Sequence, residues 1–214
     1  MRSLTTIFVS VAVSFTLLFA ATHFFPLANY SQVRDSTVRV SNSLGMCSGV
    51  VISRVHVLTA AHCDGPNLKV DGRPAYKVKK NIGTDLMLLI TITDKPALPV
   101  AKTRPTLDEK VVMSGYPLDV GEVVTEGRMQ KLITPSVPEF PSEHYMLVTS
   151  QGVFGNSGGP VVVRRGMSYE IVGIVSRVAV ATIDMGMFAM PSLVPHISFV
   201  VNTESLNFFL REGF

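Results

Sequence analysis

The sequence predicts an all-β protein whose strands fall into two groups, preceded by an apolar segment and followed by one C-terminal helix. Sixteen Gly and thirteen Pro are spread along the 214 residues, which favours short strands joined by turns over long helices. Alternating apolar segments recur on both sides of a proline-rich stretch, residues 94–105, and such a stretch indicates a connector. With 47% hydrophobic residues, the chain can bury a substantial core.

The apolar segment runs from Leu4 to Ala21 without a charged side chain and follows Arg2, which is the pattern of a targeting segment. As a helix it would be roughly 27 Å long, close to the hydrocarbon thickness of a bilayer. We therefore expect residues 1–32 to contain either an uncleaved membrane anchor or a cleaved signal peptide, followed by a short spacer. In both cases the remaining domain is expected outside the cytosol, either membrane-anchored or secreted or periplasmic.

The strand groups follow in order along the chain. The first is predicted over residues 33–95, with alternation starting near Ser36 and turn residues at 64–66 and 71–72. A connector is predicted over residues 96–106 and a second strand group over residues 107–190, interrupted by a loop at 134–141. Over residues 192–210 the apolar spacing instead predicts a packed helix, with Pro195 tolerated in its first turn.

Charge and composition exclude several classes of partner. The net charge is only +3, and 16% of the residues are charged. No basic block is dense enough to follow a phosphate backbone, and no aromatic pattern typical of RNA recognition accompanies the charge. We expect no nucleic-acid partner, no metal and no cofactor.

One candidate nucleophile lies in the segment GNSGGP, residues 155–160. A nucleophilic serine needs an exposed hydroxyl on a tight turn, with backbone N–H groups close to the oxygen that becomes charged, and glycines permit that approach. Ser157 has this setting. Taken alone, a glycine-rich turn of this kind is most often only a turn.

A candidate general base lies in the segment VLTAAHC, residues 57–63, where His62 follows the end of an apolar strand and is flanked by small residues. A lone histidine is more often structural than catalytic. The remaining histidines lack such a setting and are expected to be structural: His23, His56, His144 and His196.

Four blocks together carry a family resemblance. The segments GMCSGVVI (45–52), VLTAAHC (57–63), TDLMLLI (84–90) and GNSGGP (155–160) resemble the signature blocks of the trypsin-like serine proteases. The resemblance covers roughly residues 35–210. Asn156, the block at 84–90 and the segment VMSGYPL (112–118) resemble the HtrA-like branch. Because the sequence ends at Phe214, we do not expect the PDZ domain that HtrA proteins carry.

The resemblance implies a fold of two six-stranded antiparallel β-barrels of the chymotrypsin type with a C-terminal helix. It implies a serine endopeptidase that hydrolyses peptide bonds through an acyl-enzyme, with Ser157 as the nucleophile and His62 as the base. Asp85 would orient the imidazole, since the rival carboxylates Asp71 and Asp94 are not followed by an apolar block of the family type.

The same resemblance assigns the surrounding residues. The oxyanion hole would consist of the backbone N–H groups of Gly155 and Ser157. The cysteines, Cys47 and Cys63, could be free thiols or a disulfide by their number alone, and the resemblance implies that they are bridged.

Substrate binding is assigned through the resemblance as well, to Gln151, Ser176, Val178 and Gly186. Because no acid lies at the base of the implied pocket, a Lys or Arg side chain would lack a partner there, and small or medium apolar side chains are expected. Trypsin-like zymogens use an aspartate at the position of Asn156 to bind a freed N-terminus, so we expect activity without propeptide cleavage.

Two alternatives stay open at this point. The chain could be a catalytically inactive, membrane-tethered protein-binding module of the same fold. It could also be a protease dedicated to a viral or phage assembly partner. In each case the expected partners are proteins or peptides.

Overall fold

A computed structural model of the protein describes residues 29–133, 145–184 and 189–212, with backbone alone at 178–184 and 189–195. The chain divides into two units, Met1–Tyr30 and Ser31–Phe214, and all the elements below belong to the second unit. The apolar run from Leu4 to Ala21 and the predicted loop at 134–141 lie outside the described residues. Within the described ranges, neither α-helix has the length and apolar character needed to cross a bilayer.

The N-terminal half is a seven-stranded antiparallel sheet with the strand order β5-β4-β1-β2-β3-β7-β6. A short helix, α1 (Ser31–Ser36), precedes it. The strands are β1 (Thr37–Asn42), β2 (Gly45–Val51), β3 (His56–Ala60), β4 (Lys69–Val70), β5 (Arg73–Pro74), β6 (Tyr76–Asn81) and β7 (Leu86–Ile90). Alternating residues of these strands form one apolar core, which includes Val38, Val40, Val57, Met87 and Leu89.

The C-terminal half is a closed antiparallel barrel with the strand order β10-β13-β12-β11-β8-β9. Its strands are β8 (Lys110–Gly115), β9 (Val123–Ile133), β10 (Tyr145–Val148), β11 (Pro160–Arg165), β12 (Ser168–Asp184) and β13 (Ala189–Val201). Helix α2 (Thr203–Arg211) follows the last strand. The barrel is filled by a second apolar core, which includes Val111, Met113, Met146, Val161 and Val200.

The segment between β7 and β8 is hydrogen-bonded to both halves. The Leu98 N–H donates to the Val51 carbonyl in the N-terminal sheet at 3.0 Å, and the Ala101 N–H donates to the Ile171 carbonyl in the barrel at 2.8 Å. Because the two bonds lie only three residues apart, the segment joins the two sheets closely, and the loops that carry the candidate residues can meet at their junction.

The predicted fold class is confirmed: the protein is all-β, with two barrel-like halves and a C-terminal helix. The C-terminal barrel has the predicted six strands, whereas the N-terminal half has seven, with β5 and β6 at the edges of its sheet. The predicted start of that helix at residue 192 is wrong, because residues up to Val201 belong to β13 and pair with β12. Short apolar runs fit strands and helices equally well, and here the pairing with β12 decides. The helix begins only after Asn202, whose side chain accepts a hydrogen bond from the Ser205 N–H as an N-cap.

Candidate active site

His62 and Asp85 meet at one end of two neighbouring strands. His62 lies in a short 3-10 turn (Ala61–Cys63) directly after β3, and Asp85 directly precedes β7. These strands pair so that Ala60 faces Leu86. The ring Nδ1 of His62 lies 2.9 Å from Asp85 Oδ2 and 3.0 Å from Oδ1, and the His62 backbone N–H donates to Oδ1 at 3.0 Å. The carboxylate therefore fixes both the ring and the backbone of the histidine.

The carboxylate of Asp85 has a further partner that the sequence-based assignment missed. Ser176 in β12 donates its hydroxyl to Asp85 Oδ2 at 2.5 Å, and both side chains are buried, with 1% and 6% of their surface exposed. Ser176 was predicted to bind substrate as part of a strand that pairs with the substrate backbone, and this stays a prediction; its hydroxyl binds Asp85. No local sequence pattern predicts this contact, because the two residues lie 91 positions apart. The C-terminal half thus helps to hold the carboxylate against the ring.

Ser157 lies in a loop between β10 and β11, residues 151–159, which we call the serine loop. The loop approaches both halves of the molecule: the Ser48 N–H donates to the Ser157 carbonyl at 2.7 Å, and the Gly158 N–H donates to the Val175 carbonyl at 2.7 Å. Gly158 has a φ of +83°, and a Cβ there would lie 2.2 Å from the Ser48 carbonyl oxygen. Only glycine fits this close approach.

The hydroxyl of Ser157 faces the same cluster of polar groups. Its Oγ lies 3.5 Å from the carbonyl oxygen of Ser176, the residue whose own hydroxyl binds Asp85. Within the described part of the chain, Nε2 of His62 has no hydrogen-bond partner. The serine hydroxyl and the free ring nitrogen are therefore both available for a new contact.

The backbone N–H groups of Gly155 and Ser157 are also available. Among residues 29–133, 145–184 and 189–212, neither group donates a hydrogen bond. Gly155 has a φ of +98°, and a Cβ there would lie 2.4 Å from the Tyr116 carbonyl oxygen. A pair of unpartnered N–H groups on a tight turn is the arrangement that binds a developing oxyanion.

The predicted disulfide is confirmed. Cys47 in β2 and Cys63 in the turn of His62 are bonded at an S–S distance of 2.05 Å. The sulfur atoms of both cysteines lie within 4.8 Å of a ring nitrogen of His62. Because both sulfurs belong to the disulfide, they cannot act as thiolate ligands, and this group of three is not a metal site.

The rival carboxylates have other partners. Asp71 accepts the backbone N–H of Arg39 at 2.9 Å, and Asp94 pairs with Arg73 at 2.9 Å. His56, which was predicted to be structural, places its Nδ1 2.9 Å from the Ser53 hydroxyl. Among the candidates, Asp85 is the carboxylate that the fold brings to His62.

The predicted pocket residues are less fully described. Gln151 is exposed at the start of the serine loop. Val178 lies in β12, where its backbone pairs with Ser198, and its side chain lies outside the described residues, as does the whole of Gly186. Asn156 is 4% exposed, and its Oδ1 has no hydrogen-bond partner within the described residues. The side chain directly before Ser157 is thus buried and uncharged.

Several titratable groups outside the pair of His62 and Asp85 have shifted pKa values. Asp64 follows the bridged Cys63, and hydrogen bonds from Lys77 and Lys80 lower the pKa of its carboxyl. Burial raises the pKa of Tyr116 and of Glu122. Glu122 accepts the hydroxyl of the buried Ser114 at 2.7 Å.

Comparison with known proteins identifies relatives. The family model described as a trypsin-like peptidase domain matches residues 47–174, more than half of the chain. The active form of the Rv3671c protease from M. tuberculosis is similar in structure, with a TM-score of 0.70 and 22% identity over 85% of this chain and 82% of that chain. No curated protein matches the sequence at a significant level.

Two further solved structures have the same fold. The serine endoprotease from Yersinia pestis has a TM-score of 0.64 and 23% identity over 87% of this chain and 66% of that chain. The HtrA-type protease AlgW with a tripeptide has a TM-score of 0.67 and 18% identity over 86% of this chain and 61% of that chain. At these identities the similarity to solved structures shows the fold alone, whereas the match to the family model shows the family. The chain belongs to the trypsin-like peptidase family.

Proposed function

We propose that the protein is a serine endopeptidase that hydrolyses peptide bonds through an acyl-enzyme on Ser157. The observation that carries the proposal is the pair of His62 and Asp85, in which Nδ1 is held at 2.9 Å while Nε2 is left without a partner in the described chain. A base whose second nitrogen is fixed by a buried carboxylate has its tautomer set for accepting a proton at Nε2.

In the proposed acylation step, Ser157 Oγ attacks the scissile carbonyl and its proton passes to His62 Nε2. Asp85 stabilises the imidazolium that forms, and Ser176 keeps the carboxylate in place through its hydroxyl. The imidazolium then donates the proton to the leaving amine. In deacylation, water attacks the acyl-enzyme with His62 again acting as the base.

The serine hydroxyl has to turn before it can donate to the ring. In the structure Ser157 Oγ makes a long contact of 3.5 Å with the Ser176 carbonyl. Because hydroxyl rotamers interconvert readily and catalytic hydrogen bonds often tighten only when substrate binds, this orientation is compatible with the proposed role. The N–H groups of Gly155 and Ser157 would stabilise the oxyanion, and one such donor typically contributes on the order of 3 kcal/mol.

For specificity, we propose cleavage after small or medium apolar side chains, with Gln151, Val178 and Gly186 around the pocket. A neutral pocket leaves a Lys or Arg side chain without a partner after its desolvation. A cleavage profile on a peptide library tests this, and dominant cleavage after Lys or Arg would contradict it.

Activation and location follow from two neighbouring features. Asn156 offers no carboxylate to pair with a freed N-terminus, so we propose that no propeptide cleavage is required. The Cys47–Cys63 disulfide favours an oxidising compartment, so we propose that the protease domain acts outside the cytosol, reached through the segment from Leu4 to Ala21. N-terminal sequencing of active protein from membrane and soluble fractions tests both points, and activity confined to a form trimmed within the protease domain would overturn the first.

Labelling by a fluorophosphonate probe tests the catalytic proposal directly. We expect the wild type and the control variant Ser168→Ala, which alters an exposed serine at the start of β12, to be labelled equally. Ser157→Ala should lose the label and at least about 10⁴-fold in peptide hydrolysis. A folded wild type that neither takes the label nor cleaves peptides would instead be a binding module of the same fold.

A further inference from the structure

Ser48 in β2 makes an unusual set of contacts with the serine loop. Its hydroxyl donates to the Gly155 carbonyl at 2.7 Å and accepts the Tyr116 N–H at 2.8 Å. Its backbone N–H donates to the Ser157 carbonyl at 2.7 Å. The residue is fully buried, with 0% of its surface exposed. We propose that Ser48 is a positioning residue that sets the oxyanion hole, an inference that rests on the proposed function.

The contacts of Ser48 fall on the two residues whose N–H groups would bind the oxyanion. The carbonyls of Gly155 and Ser157 are both held by Ser48, while the N–H groups of the same residues have no partner in the described chain. The carbonyl and the N–H of a residue lie in adjoining peptide groups, so holding the carbonyl limits the direction of the N–H through the φ and ψ of that residue. Ser48 therefore fixes the donors without touching the substrate.

The Ser48 hydroxyl also affects Gly155 indirectly, through its bond to the Tyr116 N–H. The turn that follows Tyr116 places the Leu118 N–H against the Phe154 carbonyl at 2.9 Å. In a trans peptide the C=O and N–H point in opposite directions, so this bond turns the Gly155 N–H away from Leu118. By accepting the Tyr116 N–H, Ser48 anchors the start of the turn that makes this contact.

Gly155 is the part of the loop that most needs such a constraint. Its φ of +98° lies in a region that glycine enters freely. If the Gly155 carbonyl lost its bond to Ser48, the backbone at Gly155 could therefore rotate and its N–H could change direction. The hydroxyl of Ser48 packs closely against Gly115, because a Cβ at Gly115 would lie 2.8 Å from Ser48 Oγ. Loss of the hydroxyl would leave two partly buried backbone groups, the Gly155 carbonyl and the Tyr116 N–H, without this partner and would free the backbone at Gly155 to turn.

The decisive variant is Ser48→Ala, assayed with a fluorogenic peptide selected from the library profile. We expect kcat to fall about 10- to 100-fold, somewhat less than the loss of a whole oxyanion donor, with KM changed by no more than about two-fold. Loss of an interaction made only in the transition state lowers kcat in this way, whereas general loosening of the substrate site also raises KM.

Inhibitor binding separates positioning from stability. A peptide aldehyde forms a hemiacetal with Ser157 and places its oxygen in the hole, while the matching peptide alcohol does not. In Ser48→Ala the aldehyde should bind about 10- to 100-fold more weakly, and the alcohol should bind as to wild type. Thr203→Val is the matched control: it removes a buried hydroxyl that donates to the Val172 carbonyl in the barrel, and it should leave both affinities unchanged.

The outcomes distinguish the two proposals. A wild type that resists fluorophosphonate overturns the proposed function and this inference together. A labelled wild type with an Ser48→Ala variant of unchanged kcat and aldehyde affinity overturns this inference alone, and so does an equal weakening of aldehyde and alcohol. If the alanine variant does not fold, Ser48→Cys keeps an atom at the γ position, slightly larger than oxygen and only a weak donor and acceptor; its kcat should still fall, and an unchanged kcat would overturn the inference.

Discussion

The two halves of the molecule supply the candidate residues in different ways. In the N-terminal half, His62 and Asp85 contact each other directly through the ring and the backbone, and the disulfide closes on the same turn. In the C-terminal half, the serine loop depends on a neighbour, since the carbonyls of Gly155 and Ser157 are held by Ser48 of the other sheet. The base and its carboxylate are thus largely set within one half, while the nucleophile loop is set at the junction.

The sheets differ in a corresponding way. The barrel of the C-terminal half is closed, which leaves it without free strand edges. The N-terminal sheet has β5 and β6 at its edges, and β6 carries Lys77, Lys79 and Lys80. Lysines on an edge strand oppose pairing with other chains. The N-terminal sheet therefore carries the hydrogen-bonded pair of His62 and Asp85, and the lysines of its edge strand β6 oppose pairing with other chains.

The largest effect is expected where the direct pair in the N-terminal half is broken. Asp85→Asn should lower kcat by about 10⁴-fold with little change in KM, because the amide favours the wrong tautomer of His62. Steady-state kinetics measure this, with Asp71→Asn as the control, since Asp71 binds the Arg39 N–H and not His62. A loss of less than about 10-fold would show that His62 does not depend on this carboxylate.

The disulfide tests how far the geometry of the N-terminal half depends on a covalent link. Replacing both Cys47 and Cys63 by alanine opens a loop with a sequence separation of 16 residues, and the chain-entropy estimate for such a loop is about 3 kcal/mol of unfolding free energy. For a domain of this size we expect Tm to fall by about 6 to 12 °C. Reduced wild type is the control and should have the same Tm as the double variant. A double variant with the Tm of oxidised wild type would contradict the estimate.

The smallest effect concerns the border of the site. Lys77 and Lys80 lower the pKa of Asp64, so the ionised carboxyl stabilises the fold above its unfolded pKa, and this contribution is lost as pH falls through the folded pKa. Asp64→Asn should cost less than about 1 kcal/mol at neutral pH, because both lysines are partly exposed and water screens the pairs.

Urea unfolding at several pH values measures this difference for Asp64. It should disappear in acid once the wild-type carboxyl is protonated in both the folded and unfolded states. Asp94→Asn is the control, because the Asp94 side chain is 83% exposed and its pair with Arg73 should contribute little at any pH. A penalty that persists unchanged in acid would assign the effect to packing.

The sequence was sufficient for the features that local pattern carries. Alternating apolar residues predicted the strand-rich halves, and the family blocks predicted the disulfide that the structure contains. The blocks also singled out His62 and Asp85, which the structure places in contact. Each of these features is local, because the residues lie in or directly beside a strand with a readable pattern.

Contacts between distant segments could not be predicted in this way. The bond from Ser48 to Gly155 joins positions 107 residues apart, and the bond from Ser176 to Asp85 joins positions 91 apart. Ser48 lies in one of the family blocks, but no local pattern identifies the partner of its hydroxyl or of the Ser176 hydroxyl. These contacts form only when the two sheets pack. The start of helix α2 was mispredicted for a related reason, because the pairing of β13 with β12 overrides the apolar spacing.

Cys47 and Ser48 are consecutive residues of one strand, and this adjacency limits how β2 can change. Successive side chains of a strand point to opposite faces, so the first can bond to the turn of His62 while the second bonds to the serine loop. Inserting or deleting a single residue near the start of β2 would shift the register by one and exchange the two faces. Length changes in β2 should thus be tolerated far less than changes in the exposed turn between β1 and β2, even where the overall fold survives.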